Sequence, residues 1–182
     1  KDVDTLLPPP PQPQPLDPAS ENILALTGKK IKAFPKQDHQ AHMRAHLQFM
    51  GTMMVRNNPK ALMILQQNCM EHIMLMATEQ LEIEFAEELQ DLTMAQQELQ
   101  LLVQQMGPQA QQNPDFMQIQ NKVQSIQMAM EARKSQLIAE FTEDYAKAEK
   151  EVLNQVENDP VLRLKDRDLD LKAREEQRKE EE

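Results

Sequence analysis

Apolar residues recur three or four positions apart over most of the chain, with charged and amide residues between them, and this spacing predicts helices. The longest stretches run over residues 59–106 and, after a break at Gly107-Pro108, over residues 114–158. Each begins with a small polar residue followed by proline, Asn58-Pro59 and Asn113-Pro114, an arrangement typical of helix starts. We therefore predict two helices of about 45 residues, each about 70 Å long, joined by a short turn.

A short turn between two long helices places them antiparallel. Each helix carries a narrow apolar stripe whose steps of three and four resemble a coiled-coil seam. We predict that the hairpin seam consists of Phe85, Leu89, Leu92, Leu99, Leu102, Phe116, Ile119, Val123, Ile126 and Met130.

The first half of the 59–106 helix is apolar nearly all round, which predicts burial on more than one side. Methionine is frequent here and adapts to irregular neighbours, as expected where several helices or subunits meet. We expect helix packing or oligomer contacts at Met43, Leu47, Met50, Met54, Leu62, Leu65, Cys69, Ile73 and Met76.

The remaining segments complete an all-α chain, a long antiparallel helical hairpin plus shorter helices. Residues 1–36 are a proline-rich extended connector, with a short helix and, at residues 30–34, either a short edge strand or extended chain. Residues 37–158 form the helical domain, whose first helix covers about 38–57. Residues 159–182 are a charged helix or a frayed tail.

Composition supports this assignment, because only 3% of residues are aromatic, there is no tryptophan, and Met reaches 13 of 182 residues. No apolar run reaches the roughly 18 residues that a membrane span needs, and no signal peptide is visible. The single cysteine, Cys69, cannot form an internal disulfide, which fits a reducing compartment. Because the first residue is Lys1, we expect a piece of a longer polypeptide.

The net charge of −10 lies mostly in residues 61–121, which contain no Lys or Arg and nine carboxylates. Such a surface repels nucleic acid, because DNA affinity depends largely on cations that neutralise phosphates. We interpret the carboxylates as a solvated face and not as acid–base pairs. This predicted acidic face consists of Glu79, Glu82, Glu84, Glu87, Glu88 and Asp91.

Three histidines, His39, His42 and His46, fall on one helical face and are the weak candidates for metal ligands. A closed zinc site needs four ligands, and the outer two of these histidines lie about 10 Å apart along the helix. No HExxH or CxxC motif accompanies them, so we predict a packing face, with no metal and no cofactor. No phosphate-binding glycine loop or nucleophile elbow is present either, and we predict that this segment is not an enzyme.

Three segments carry a family resemblance: Asp2-Val3-Asp4-x-Leu6-Leu7-Pro8, Asp17-Pro18-x-x-Glu21-Asn22, and Lys32-Ala33-Phe34-x-x-Gln37-Asp38-His39-x-x-His42-x-x-x-His46-x-x-Phe49-Met50. Together they resemble the C-terminal region of portal proteins, the head-to-tail connectors of tailed double-stranded-DNA phages. The match covers the first third of the chain, and the long helices after it suit the crown or barrel of that family. The wing, stem and clip regions of the portal core are not in this sequence.

The resemblance implies a self-assembled ring of about twelve copies at one capsid vertex. Double-stranded DNA passes through such a ring, which docks the packaging ATPase (terminase), head–tail adaptor proteins and the major capsid protein. It implies location at the portal vertex of the virion, and in the host cytoplasm during assembly, with no membrane partner.

Two alternatives remain open from the sequence. One is an acidic coiled-coil adaptor or assembly chaperone that binds basic protein partners, and the other is a metal-dependent enzyme. Symmetry separates the ring from the adaptor, because rings repeat a heterologous interface whereas coiled-coil adaptors give dimers or trimers.

Overall fold

The computed structural model describes residues 14–161, and over these residues the predicted all-α class is confirmed. The helices of this part are α1 (Pro18–Leu26), α2 (His39–Met50), α3 (Met53–Arg56), α4 (Pro59–Glu84), α5 (Ala86–Met106) and α6 (Pro114–Asn158), with a 3₁₀ helix (Gly107–Gln112) between α5 and α6. Residues 1–13 of the predicted proline-rich connector and residues 162–182 of the charged C-terminal segment lie outside the described residues. No helix within 14–161 combines the length and apolar character that crossing a bilayer requires.

Four helices begin where a side-chain oxygen can accept a backbone N–H of the first turn. The distances from the backbone nitrogen to the accepting side-chain oxygen are 2.8–3.1 Å. This contact replaces one of the hydrogen bonds that a helix start lacks. The accepting residues are Asp17, Asp38, Asn58 and Asn113.

Two predicted helices are divided. The helix expected over 38–57 stops at Gly51 and restarts as α3, because Thr52 adopts an extended conformation and its hydroxyl donates to the Phe49 carbonyl at 2.7 Å. The helix expected over 59–106 is interrupted at Phe85, whose φ of −110° and ψ of 28° are not helical.

Residues 30–34 form no strand. Two backbone N–H groups that a neighbouring strand would need are bound by side chains instead. Ala33 N–H donates to Glu71 Oε2 at 3.0 Å, and Phe34 N–H donates to Gln37 Oε1 at 2.7 Å. The alternating pattern therefore corresponds to extended chain.

The chain divides into two compact units, an N-terminal unit (Lys1–His72) and a C-terminal unit (Ile73–Glu182), with the boundary inside α4. In the N-terminal unit α1 packs on α2. Helix α1 ends in a Schellman motif, in which Gly28 N–H donates to Ala25 O at 2.9 Å and Lys29 N–H to Leu24 O at 3.1 Å. Gly28 has a φ of 75°, which glycine adopts without steric cost.

In the C-terminal unit α5 packs on α6, and the 3₁₀ helix makes the turn between them. Ala77, Leu81 and Leu137 form a buried cluster, against which the half-buried Phe85 and several neighbours pack. Of the ten predicted seam residues, Leu92 is buried and the other nine are half-buried.

Two ion pairs join the acidic stretch to α6. Arg133 binds Glu84 through two nitrogens at 2.7 and 3.0 Å, and Lys122 Nζ lies 2.7 Å from Asp91 Oδ2. The hydrogen bonds from Arg133, together with one from Gln80, lower the pKa of Glu84 from 4.5 to about 2. Part of the negative charge of the predicted acidic face is therefore neutralised within the unit.

The turn after α5 should tolerate only glycine at position 107. Gly107 has φ 57° and ψ −140°, a region almost restricted to glycine, although a Cβ atom there would meet nothing within 4 Å. We expect Gly107→Ala to lower the unfolding free energy by about 1–3 kcal/mol through backbone strain alone. Urea denaturation measures this, with Gln109→Ala in the same 3₁₀ helix as the control. Equal stability of the two variants would show that the turn is not constrained.

The Arg133–Glu84 pair should make stability depend on pH in acid. Because the pKa of Glu84 is lower in the folded state, the pair stabilises the protein above about pH 4.5, and this contribution is lost as pH falls toward 2. Glu84→Gln should flatten that part of the profile of Tm against pH, whereas Glu87→Gln, which removes an exposed carboxylate of α5, should not. Parallel profiles for Glu84→Gln and wild type would refute a stabilising role of the pair.

Candidate functional site

All four histidines of the chain lie together in the N-terminal unit, with neighbouring ring centroids 4.9–6.1 Å apart. His39, His42 and His46 share a face of α2 because they are three and four residues apart, and Asp38 fixes where that helix begins. His72 comes from α4. All four are buried, with exposed fractions of 0–6%.

A buried carboxylate from α1 completes the group. Glu21 is 1% exposed, and its Oε2 atom lies 2.9 Å from His42 Nδ1 and 3.2 Å from His46 Nε2. The other nitrogen of His46, Nδ1, lies 2.7 Å from the Oδ1 atom of Asn22. Three helices therefore contribute polar side chains to one buried position. We call Glu21, His42, His46 and His72 the Glu/His site.

His72 is held by a second imidazole. Its Nδ1 atom lies 2.8 Å from His39 Nδ1, so one ring donates to the other, while its buried Nε2 atom has no hydrogen-bond partner. Burial, followed by repulsion from the other three histidines, lowers the pKa of His72 from 6.5 to about 3. The ring is therefore neutral at physiological pH.

The Glu/His site offers one donor atom from each of four residues, and these atoms all lie within 4.8 Å of one another. Neutral imidazole nitrogens and a carboxylate oxygen are common ligands of divalent transition metals. Among the His, Cys, Asp and Glu side chains of the described residues, these four are the group close enough together to hold a metal ion.

The structure changes the sequence-based view of the histidines. His42 and His46 belong to the site, whereas His39 lies beside His72. The sequence analysis did not select Glu21 or His72 as ligands, because both are distant in sequence from α2. The expected difficulty, that one helix cannot bring its outer histidines to one ion, does not arise, since the site uses the pair one turn apart and two other helices. The sequence offered one signal for His72, because it is the one histidine of the chain that lies outside α2.

The other predicted residues are distributed as follows. Among the predicted packing residues, Leu47, Met50, Leu65, Cys69 and Ile73 are buried, Met43, Leu62 and Met76 are half-buried, and Met54 is 63% exposed. On the predicted acidic face, Glu82 and Glu87 are exposed, Glu79 and Glu88 are half-buried, and Glu84 and Asp91 bind the cations of α6.

A shallow groove of about 500 Å³ also lies in the N-terminal unit. Lys30, Lys32 and Lys60 line it together with Glu71 and apolar residues of α4. Because three lysines face one carboxylate, the groove carries a net positive charge.

Comparison of the chain with protein-family models, characterised proteins and solved structures gives no match.

Asn68, one turn before His72 on α4, should destabilise the N-terminal unit. It is 1% exposed, and neither its Oδ1 nor its Nδ2 atom has a hydrogen-bond partner. An unsatisfied buried polar group costs about 1–3 kcal/mol. We expect Asn68→Leu, which keeps the branched shape, to raise the unfolding free energy in urea. Asn68→Ala removes the amide but leaves a cavity and should gain less. A leucine variant less stable than wild type would mean that the amide is satisfied in solution.

Proposed function

We propose that this chain is part of a structural subunit of a portal ring in a tailed double-stranded-DNA phage. The ring guides DNA during packaging and ejection without reading its sequence, and this segment has no catalytic role. The family resemblance described above is the basis of the proposal.

One observation carries the proposal furthest: residues that define the resemblance are bonding partners in the N-terminal unit. Glu21 contacts His42, and Asn22 contacts His46. Asp38 caps the helix that presents both histidines. The spacing that resembles portal proteins is thus the spacing that a buried polar contact between α1 and α2 requires. This supports a common structural element more strongly than a chance match of residues.

Exposed apolar side chains support self-association. Large apolar residues that are more than half exposed occur in both units, among them Met54, Met63, Met94 and Met128. Single exposed apolar residues are ordinary, but a ring subunit has two neighbours and must present two different surfaces to them. We therefore propose that neighbouring copies cover several of these side chains.

The charge distribution supports passage of DNA without binding. Residues 61–121 have no cation to neutralise phosphates, and Glu82 and Glu87 remain exposed. In this proposal the ring stands at the portal vertex of the virion and assembles in the host cytoplasm. Terminase and head–tail adaptors bind portal regions outside this chain, and the major capsid protein is a further partner of the ring.

The exposed carboxylates also suit a second function, an acidic coiled-coil adaptor or assembly chaperone for a basic protein. This alternative needs no ring and no DNA. It predicts a dimer or trimer of parallel or antiparallel hairpins.

Particle mass distinguishes the two functions. Native mass spectrometry of the longest available version of this chain should give a closed ring of about twelve copies if the portal proposal is correct. A dimer or trimer that persists at high protein concentration would overturn it in favour of the adaptor.

An exposed methionine should contribute to the ring interface. Met63→Glu replaces a side chain that is 62% exposed, and we expect it to shift the mass distribution toward smaller species while the helical circular dichroism is kept. The control, Gln66→Glu, adds the same charge at an exposed position of the same helix and should leave the ring intact. If both variants behave like wild type, Met63 lies outside the interface.

A further inference from the structure

We propose that Glu21, His42, His46 and His72 bind one divalent transition-metal ion, best matched by Zn²⁺, as a closed structural centre. The proposal is independent of the portal function. It depends on the geometry of four buried side chains from three helices.

The hydrogen bond at His46 leaves a lone pair directed into the site. The Asn22 Oδ1 atom, 2.7 Å from His46 Nδ1, can only accept, so Nδ1 carries the hydrogen. In the neutral ring the other nitrogen, Nε2, is then an acceptor. It lies 3.2 Å from the carboxylate oxygen of Glu21, yet the two atoms do not have hydrogen-bond geometry. Two electron-rich atoms this close need a cation near both.

His72 presents a second unpartnered nitrogen. The ring is fully buried, and its Nε2 atom has no hydrogen-bond partner, while Nδ1 faces His39 at 2.8 Å. When His72 Nδ1 donates to His39, the Nε2 lone pair is available to a metal. A buried ring nitrogen without a partner otherwise lowers the stability of the folded protein.

The surroundings provide the second contact that metal-binding histidines usually have. Histidine ligands commonly donate their other N–H to a carbonyl, carboxylate or similar acceptor, which fixes the tautomer and the ring orientation. Asn22 serves His46 in this way, and His39 serves His72. We therefore assign Asn22 and His39 as positioning residues, not ligands.

A purely proton-bonded network explains the site less well. A shared proton satisfies Glu21 and His42, whose atoms are 2.9 Å apart. It leaves the Nε2 atoms of His46 and His72 without partners inside a buried site. One ion at the centre would satisfy the carboxylate and all three rings together.

The ligand set selects the type of metal. Three imidazoles and one carboxylate suit zinc and related first-row ions better than calcium or magnesium, which prefer oxygen ligands. Tetrahedral bonds of about 2.0–2.1 Å place neighbouring ligand atoms about 3.3 Å apart. Glu21 Oε2 already lies 2.9 Å from His42 Nδ1 and 3.2 Å from His46 Nε2, close to this spacing. The remaining donor atoms, all within 4.8 Å of one another, would have to move closer by up to about 1.5 Å. Because four protein ligands fill a tetrahedral site, the ion would have a structural role.

Zinc titration of the wild-type chain tests the proposal. The full 182-residue chain is prepared without a histidine tag, and metal is removed with a chelator. Addition of ZnCl₂ should give one bound ion per chain by isothermal titration and elemental analysis. Tm should rise by roughly 5–10 °C at zinc concentrations far above Kd. Co²⁺ in place of zinc should give the intense visible absorption of tetrahedral cobalt.

Wild-type protein alone can overturn the proposal. No uptake of zinc, no shift of Tm, or binding of several ions with the weak spectrum of octahedral cobalt would each exclude a closed four-ligand centre. These outcomes do not depend on whether any variant folds.

Matched variants locate the ion. Glu21→Gln should lower zinc affinity at least tenfold and reduce the Tm shift. Glu71→Gln, a partly buried carboxylate of the same unit that binds the Ala33 backbone, should retain zinc binding. His39→Gln should keep one ion per chain with an affinity about 10–100-fold weaker, as expected of a positioning residue. Equal affinity of wild type and Glu21→Gln would place the ion elsewhere.

Discussion

The N-terminal unit depends on the burial of one carboxylate, Glu21. A buried charge is costly unless it is paired, and breaking such a pair leaves an uncompensated charge in the interior. The histidines of α2 supply the partners, and they can do so only when α1 crosses that helix at one register. Glu21 thus fixes the packing of α1 on α2 more specifically than apolar contacts would, because leucine and methionine tolerate small shifts.

The C-terminal unit is held differently. Helices α5 and α6 meet along half-buried apolar residues spaced three and four apart, with ion pairs such as Arg133–Glu84 beside them. Exposed ion pairs contribute little by themselves, so the apolar seam supplies most of the contact. A long two-helix hairpin buries only one side of each helix, which agrees with the exposed Met94 and Met128 on its outer surfaces.

Much of the fold could be predicted from the sequence because helix starts are local. Asn58-Pro59 and Asn113-Pro114 act within four residues, and both helices begin where expected. The interruption at Phe85 could not be predicted, since its side chain packs on a cluster that includes the distant Leu137. The short strand considered at residues 30–34 failed for the same reason, because Glu71, 38 residues beyond Ala33, binds the backbone there.

The candidate site could be predicted even less well, because its residues are far apart along the sequence. Periodicity placed His42 and His46 on one face, but no periodic pattern connects them to Glu21 or His72. Only the tertiary packing of α1 and α4 against α2 brings these side chains together. Sequence reasoning about a single helix therefore considered whether the outer two histidines could reach one ion, whereas the Glu/His site contains the pair one turn apart.

A bound metal ion would stabilise the N-terminal unit, whose apolar core is small. That unit spans only Lys1–His72, and units below about 70–80 residues rarely gain enough stability from an apolar core alone. Its buried residues include several small or polar side chains, such as Ala25, Ala61 and Asn68, which contribute little apolar area. An ion bound by α1, α2 and α4 would connect the three helices at one point and close a long loop between Glu21 and His72. Such a cross-link would hold the unit together without enlarging its core.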